Sequence, residues 1–387
     1  MTNAYADAAR LRDRLKTWVT EAAYPLWWKA GADRDQGGFF EKLDLDGAPV
    51  SGPRRGRVLP RQIFSFAIAG DLGWQGPWRE AVEHGLSFYL SAYRRPDGLF
   101  RTLIGPNGES LDETAELYDQ AFAIFALAAV ATALPARAQE AKAIALEVLG
   151  KLTAERRHPV AGFHLSNPPT TPLQSNPHMH LFEAMLAWNA IDADPTWRAL
   201  ADEIAELALS KFIQAESGQL REFFDVDWNA APGVEGRICE PGHQFEWGWL
   251  LLRWAKLAGR PDAIKAALRM IDDAEARGVD PARGVAINAL LDDFSIHDNG
   301  ARLWPQTERI KAAAKAADAT GDEKYWEMAA AGAEGLLAYL RTPVPGLWRD
   351  KYQADGTFVE EPAPASSFYH IVLAIWELDQ MVNSRTA

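Results

Sequence analysis

Apolar residues recur at helical spacing over twelve stretches of the chain. These are 5–30, 58–72, 77–93, 112–133, 135–155, 176–192, 195–213, 240–258, 261–277, 302–319, 322–341 and 366–383. Pro77, Pro135, Pro195 and Pro261 open alternate stretches, where a missing N–H costs no helical hydrogen bond. Between the stretches lie short glycine-initiated segments rich in β-formers. They begin at Gly37, Gly98, Gly162, Gly218, Gly284 and Gly346, at spacings of 61, 64, 56, 66 and 62 residues. The pairs Asp46-Gly47, Asn107-Gly108 and Asp355-Gly356 add hairpin turn signals.

Twelve helices in six pairs, with a hairpin after each odd-numbered helix, predict an all-α chain. No pair can bury its apolar face alone, so each needs the next. Closing the series on itself gives an (α/α)6 barrel with short β-hairpins in the connecting loops. An open solenoid is the alternative, but no polar capping repeat ends the series. No Pro/Gly/Ser-rich linker interrupts residues 1–387, so one catalytic domain is expected. In such a barrel the hairpins and the starts of the even-numbered helices gather at one end.

Composition narrows the function classes. A net charge of −13 argues against nucleic acid or an anionic membrane as partner, since both need a basic footprint. The one cysteine, Cys239, excludes a disulfide framework and a cysteine-rich zinc site. There is no basic-then-apolar leader and no apolar run of membrane-spanning length, so a cytoplasmic location is expected. The 15 tryptophans either fill the core or offer flat apolar floors for sugar rings.

The residues able to do chemistry fall at the even-helix starts. His243 lies in Glu240-Pro-Gly-His-Gln-Phe-Glu246, with Glu246 at i+3 on its helix face and Glu240 just ahead. Carboxylates beside an imidazole fix its tautomer and suit acid/base work. His180 and Glu183 repeat the spacing in Asn176-Pro-His-Met-His-Leu-Phe-Glu. His178 and His180 with a glutamate also allow a metal reading, although two positions apart on a helix they point to different sides. Arg61, Tyr118 with Asp119, Trp304 with Glu308, and Tyr369-His370 complete the set. Arg61, Tyr118, His180, His243, Glu308 and His370 thus come from six even-numbered segments, which predicts a convergent site. Three histidines without a thiol or serine nucleophile motif favour proton transfer over covalent catalysis. His84, His158, His164 and His297 lack such a setting and read as structural or solvated.

Five segments together resemble the N-acylglucosamine 2-epimerase superfamily over almost the whole chain. They are Arg61-Gln-x-x-x-Phe, Asn176-Pro-His-Met-His180-Leu-x-Glu183-Ala, Glu240-Pro-Gly-His243-x-x-Glu246-Trp-x-Trp-Leu-Leu, Leu303-Trp-Pro-Gln-x-Glu308 and Ser366-Ser-Phe-Tyr-His370. The resemblance implies an (α/α)6 barrel and metal-independent, cofactor-free interconversion of sugars at C1 and C2. It implies that His243 moves the C2 proton, with His370 as partner acid/base. His180 and Arg61 would bind the sugar and stabilise a cis-enediolate, and Glu246 and Glu308 would orient the histidines or hydroxyls. Tyr118, Asn176, Trp304 and Lys351 join the substrate-binding set.

The forms of the last two motifs look most like the mannose isomerase branch. The expected reaction is D-mannose to D-fructose, with D-lyxose to D-xylulose as a related one. Sugar 2-epimerisation of mannose, N-acylglucosamine or cellobiose is the alternative. An anionic substrate, mannose 6-phosphate or sulfoquinovose, is another, with Arg55, Arg57, Arg349 and Lys351 as residues that can line the mouth. A glycoside hydrolase or lyase would need a carboxylate pair from Asp225, Asp227, Glu240 and Glu308, which leaves the histidines unexplained. A binding-only protein has no use for so complete a set. The expected partner is a monosaccharide, and the oligomeric state, a homodimer included, stays open.

Overall fold

The computed structural model describes residues 3–386. Among them twelve helices follow one another. Helix α1 (Asn3–Trp18) continues through a π turn (Val19–Ala23) into Tyr24–Lys29. The others are α2 (Val58–Ala67), α3 (Trp78–Phe88), α4 (Leu117–Ala133), α5 (Ala138–Arg156), α6 (Ser175–Ile191), α7 (Pro195–Leu207), α8 (Pro241–Ala258), α9 (Pro261–Gly278), α10 (Leu303–Thr320), α11 (Lys324–Tyr339) and α12 (Ser366–Thr386). Two predicted boundaries move. Helix α4 starts at Leu117 because Ser110–Asp112 is a strand of the preceding hairpin. Helix α2 stops at Ala67, short of Gly70, where a Cβ would sit 2.6 Å from the Trp78 indole.

The helices sort by burial pattern. Helix α9 buries Ala263, Ala267, Met270, Ile271, Ala274 and Gly278, a single stripe at 3.6-residue spacing. Helices α4 and α8 are buried on all sides, and a sequence apolar all round is what such a position requires. Most tryptophans go to this core: Trp27, Trp188, Trp197, Trp228, Trp247, Trp249, Trp254 and Trp348 are fully buried.

The chain divides into two compact units. One comprises Tyr24–Leu207 with Pro364–Tyr369. In it α4 packs between α2 and α6, with α3, α5 and α7 laid against α2, α4 and α6. Strands β1 (Arg54–Arg55), β2 (Leu103–Ile104) and β3 (Ser110–Asp112) form its antiparallel sheet, in the order β1-β2-β3. The other unit holds residues up to Ala23, Ala208–Ala363 and His370 onward. There α8 packs on α10, with α9 against α8 and α11 against α10. Asp379 of α12, nearly buried, takes both Arg12 (2.6 Å) and Lys16 (2.9 Å) of α1, anchoring the last helix to the first. No described helix is long and apolar enough to cross a membrane.

All six repeat glycines have positive φ, between 70° and 96°. That region is open to glycine and strained for other residues, which is why the repeat is legible at these positions.

Candidate active site

The even-numbered helices are tied to the hairpins by a recurring side-chain clamp. The Gln120 carboxamide accepts from the Phe100 N–H and donates to the Phe100 C=O, both at 2.8 Å. Gln244 does the same to Leu220 and Gln306 to Ala286. Gln62 donates to the Phe40 C=O. Each clamp satisfies a buried strand and fixes the first turn of its helix. His178 takes this place in α6. Its Nε2 accepts the Phe163 N–H at 3.0 Å, and its Nδ1 meets the Gln174 C=O at 2.9 Å. Burial pushes its pKa down to about 4, so it is a neutral structural imidazole. With both ring nitrogens engaged, His178 offers no lone pair to an ion, and the His178/His180 metal reading is withdrawn.

In the unit of α8, α10 and most of α12, two histidines flank Trp304. Its ring centroid lies 4.9 Å from that of His243 and 5.8 Å from that of His370. Gly242 makes room, since a Cβ there would be 2.4 Å from the indole. His243 Nδ1 is 2.9 Å from Glu222 Oε2 and 3.7 Å from Glu240 Oε2. Burial works against the imidazolium, but Glu222 and then Glu240 outweigh it and raise the pKa of His243 well above the ordinary histidine value. Burial and the charge of Glu222 in turn raise Glu240, against the pull of His243.

His370 Nδ1 is 2.8 Å from Glu308 Oε1. The other oxygen of Glu308 is 2.6 Å from Lys311 Nζ, and both side chains are 0% exposed. The ammonium also sits 4.0 Å above the Trp249 ring. Glu246 reaches the same group: one donor atom each of Glu246, Glu308 and His370 lies within 4.8 Å of the others, as holds for Glu222, Glu240 and His243. Either trio can geometrically hold a divalent cation. The Lys311 ammonium on Glu308 opposes one in the first trio, and the raised pKa of His243 opposes one in the second.

In the unit of α2, α4 and α6, Arg61 Nη2 donates to the Tyr118 hydroxyl at 2.6 Å. Its guanidinium lies 4.0 Å over the Phe122 ring. His180 Nδ1 is 3.3 Å from Glu183 Oε2, and the Tyr369 hydroxyl donates to Glu183 at 2.6 Å. Glu183 thereby orients the His180 ring through Nδ1. The Phe122 ring backs His180 at 4.4 Å. Asn176, in the first turn of α6, has a buried Oδ1 with no hydrogen-bond partner. Asp119 accepts from Thr102 at 2.7 Å; burial, resisted mainly by Arg57, raises its pKa to about 7.

Of the residues the sequence gathered into one site, Arg61, Tyr118 and His180 lie together in one unit, and His243, Glu246, Trp304, Glu308 and His370 in the other. The sequence did not mark Glu222, whose Oε2 is 2.9 Å from His243 Nδ1. Glu222 sits in the fourth hairpin, where sequence periodicity marks only a strand. Lys311 was missed as well, and its signal is a lysine at i+3 from Glu308 inside an alanine-rich, fully buried stretch. Lys351 stands apart, its side chain 52% exposed and paired with Glu361 at 3.0 Å. Arg55 is bound to Glu41 and Arg349 to Glu360, so of the mouth arginines only Arg57 faces Tyr118 and Asp119.

Other readings lose their residues. Asp225 accepts from the amides of Asp227 and Asn229 within its own turn, which argues against a hydrolase carboxylate pair. Burial pushes the Cys239 thiol up, away from nucleophilic use. His297 is exposed, His84 contacts the Gly38 C=O at 2.7 Å, and His158 and His164 pack ring to ring.

The geometry at His243 carries a test. Glu222→Gln removes the largest of the three raising charges, Glu222, Glu240 and Glu246, so the imidazolium loses its proton at lower pH. The alkaline limb of the pH–rate profile is expected to move down by roughly one unit or more. An unmoved limb would show that this imidazolium does not set it.

Comparison with known proteins gives the family and the fold. The family description "N-acylglucosamine 2-epimerase (GlcNAc 2-epimerase)" matches residues 38–374. A protein named mannose-6-phosphate isomerase, from Rhizobium meliloti (strain 1021), is 50% identical over 370 residues, covering 94% of this chain and 96% of its own. The D-mannose isomerase of Thermobifida fusca is 28% identical over 379 residues, 89% and 90% of the two chains. The solved cellobiose 2-epimerase of Spirochaeta thermophila DSM 6192 superposes with a TM-score of 0.88 at 21% identity, covering 100% of both chains. The fold class is that of such structures, the (α/α)6 barrel.

Proposed function

The chain belongs to the N-acylglucosamine 2-epimerase family, which makes it a sugar isomerase or epimerase, and we propose that it interconverts a mannose-type aldose and its ketose by histidine proton transfer. The observation that carries this reading is the pair of imidazoles on either side of Trp304. Each has its Nδ1 beside a carboxylate, which orients the ring and fixes its tautomer for proton transfer.

The two histidines differ in setting, and that assigns their roles. With Glu222 and Glu240 beside it, His243 begins protonated and is the acid. The resemblance implies that His243 moves the C2 proton with His370 as partner acid/base; the raised pKa of His243 supports giving the proton-accepting part to His370 instead. After ring opening, His370 takes the C2 proton of the aldehyde form, and the electron pair moves onto the carbonyl oxygen as an enediolate. His243 gives its proton to O1 and takes one back from O2; delivering the C2 proton to C1 while O2 becomes the carbonyl then yields the ketose. Return to the opposite face of C2 would yield the epimer. Arg61, paired with Tyr118, and His180, oriented by Glu183, are the donors assigned to substrate oxygens. Fixed donors of this kind lower the cost of the developing charge without reorganising.

Proton NMR of D-mannose with the purified protein in D2O, with and without EDTA, tests the reading. Fructose carrying solvent deuterium at C1, at equal rates in both samples, is the expected outcome. Glucose in place of fructose would transfer the protein to 2-epimerisation. Loss of activity in EDTA, restored by a metal, would overturn metal-free proton transfer. A second reading, in which the substrate is a sugar phosphate, is favoured by the name of the 50% identical relative.

A further inference from the structure

Helix α10 runs through the core, where its residues Ile310, Ala312, Ala313, Ala314 and Ala316 are fully buried. One lysine stands among them. Lys311 is fully buried too, with its ammonium 2.6 Å from Glu308 Oε2 and 4.0 Å over the Trp249 ring of α8. A charged amine carries a large desolvation cost in such a place, and an apolar pair of similar volume is often as stable as a buried ion pair or more so. Stability therefore does not explain why this position is a lysine. Its place relative to the chemistry does.

Glu308 is shared between two groups. Its Oε1 is 2.8 Å from His370 Nδ1 and its Oε2 faces Lys311, so one carboxylate stands between an imidazole and an ammonium. A carboxylate by itself stabilises an imidazolium beside it and raises the pH at which the ring gives up its proton. An ammonium on the far oxygen works the other way: it offsets the carboxylate and disfavours a second positive charge nearby. From α8, Glu246 adds a carboxylate within 4.8 Å of the donor atoms of Glu308 and His370. His243 lies across Trp304 from His370. On α12 itself the nearest acidic residues in sequence are Glu377 and Asp379, about two turns on, and Asp379 is held by Arg12 and Lys16. His370 thus has an ammonium set against its carboxylates. At His243, where burial opposes the charged ring, the groups that oppose burial are three carboxylates, Glu222, Glu240 and Glu246.

We infer that Lys311 is a positioning residue for the proton transfer: by offsetting the charge of Glu308 it keeps His370 uncharged at neutral pH, and so able to accept the C2 proton. The inference rests on the isomerase reading above and deepens it by naming the group that separates the base from the acid. Lys311 acts through Glu308 and is assigned no contact with substrate.

Two readouts test this. In protein labelled with carbon-13 at histidine Cε1, the His370 resonance is identified by its loss in His370→Asn, and its titration midpoint is followed by NMR. The acidic limb of kcat/KM is measured on D-mannose or its 6-phosphate, whichever turns over faster; that limb reports the base in the free enzyme. Wild-type His370 is expected to be uncharged at pH 7. Lys311→Met is expected to raise both midpoint and limb by roughly one unit or more, because the base then holds its proton to higher pH. Lys311→Gln, which can still donate to Glu308 but carries no charge, should do the same and serves if Lys311→Met does not fold. Lys311→Arg should stay near wild type, and Glu308→Gln should move the midpoint down. A role in packing alone would lower the melting temperature and the rate without moving the midpoint. An unmoved midpoint in the uncharged variants, a wild-type His370 charged at pH 7, or a limb that fails to follow the midpoint would each overturn the inference while leaving the isomerase reading in place. If neither sugar turns over, the isomerase reading falls, and the NMR midpoint alone decides whether Lys311 controls the charge of His370.

Discussion

Replacing His370 with asparagine is expected to lower kcat for aldose–ketose conversion by roughly 10²–10⁴-fold, the usual worth of a positioned general acid or base. Asparagine keeps a side-chain N–H that can meet Glu308 Oε1, now 2.8 Å from His370 Nδ1, so the buried carboxylate keeps a donor. What disappears is the lone pair at the position of Nε2. The assignment of His370 as base makes a sharper claim than loss of rate. Washing of solvent deuterium into the substrate at C2 should fall in parallel with turnover, since both need the C2 proton to leave. His243→Asn should also be slow, but its residual activity should no longer show the alkaline limb set by the imidazolium. Near wild-type deuterium exchange in His370→Asn would remove His370 from the mechanism. A circular-dichroism melt keeps the comparison clean, since both histidines sit in well-packed first turns.

The second large effect is on stability. Lys311→Met is expected to destabilise the protein by about 3–5 kcal/mol, the range for removing one member of a buried ion pair. Methionine conserves most of the volume above Trp249, so little of the loss is packing. It comes from Glu308, which is fully buried and loses the ammonium at 2.6 Å, leaving a carboxylate with less compensation than its desolvation requires. Adding Glu308→Gln to Lys311→Met should recover part of the loss, because a neutral amide needs no counter-charge. Lys324→Met is the control: its pair with Asp272 is exposed on both sides, and such pairs contribute about 0.2–1 kcal/mol. Urea titration of the four proteins reads all of this. A Lys311→Met midpoint as close to wild type as that of Lys324→Met would mean that Glu308 is not charged in the folded state.

The buried lysine also bears on function. An ammonium on one oxygen of Glu308 keeps the other oxygen available to hold His370 by its Nδ1–H. At His243 the two carboxylates within 4 Å, Glu222 and Glu240, both face Nδ1. One fold thus places two imidazoles in environments of different charge, which is what a reaction needing an acid and a base requires.

Much of this was local and therefore readable from the chain. Helical periodicity, and the six repeat glycines, each at a positive φ, report on φ and ψ within a few residues of themselves. The same holds for the His180–Glu183 contact, an i,i+3 pair on one helix. The expectation of a site at the even-helix starts also came from the repeat. Tertiary structure decided what lies across from each of these residues. His243 has a glutamate at i+3, but its acceptor comes from a hairpin 21 residues upstream. His178 and His180 are near neighbours in sequence, and only the packing of Phe163 shows that the first is a clamp. Arg54, Arg55 and Arg57 are indistinguishable as letters, and only their partners, Asp33, Glu41 and Asp119, tell them apart. Charge and desolvation depend on every group within a few ångströms, and most of those groups are distant in sequence.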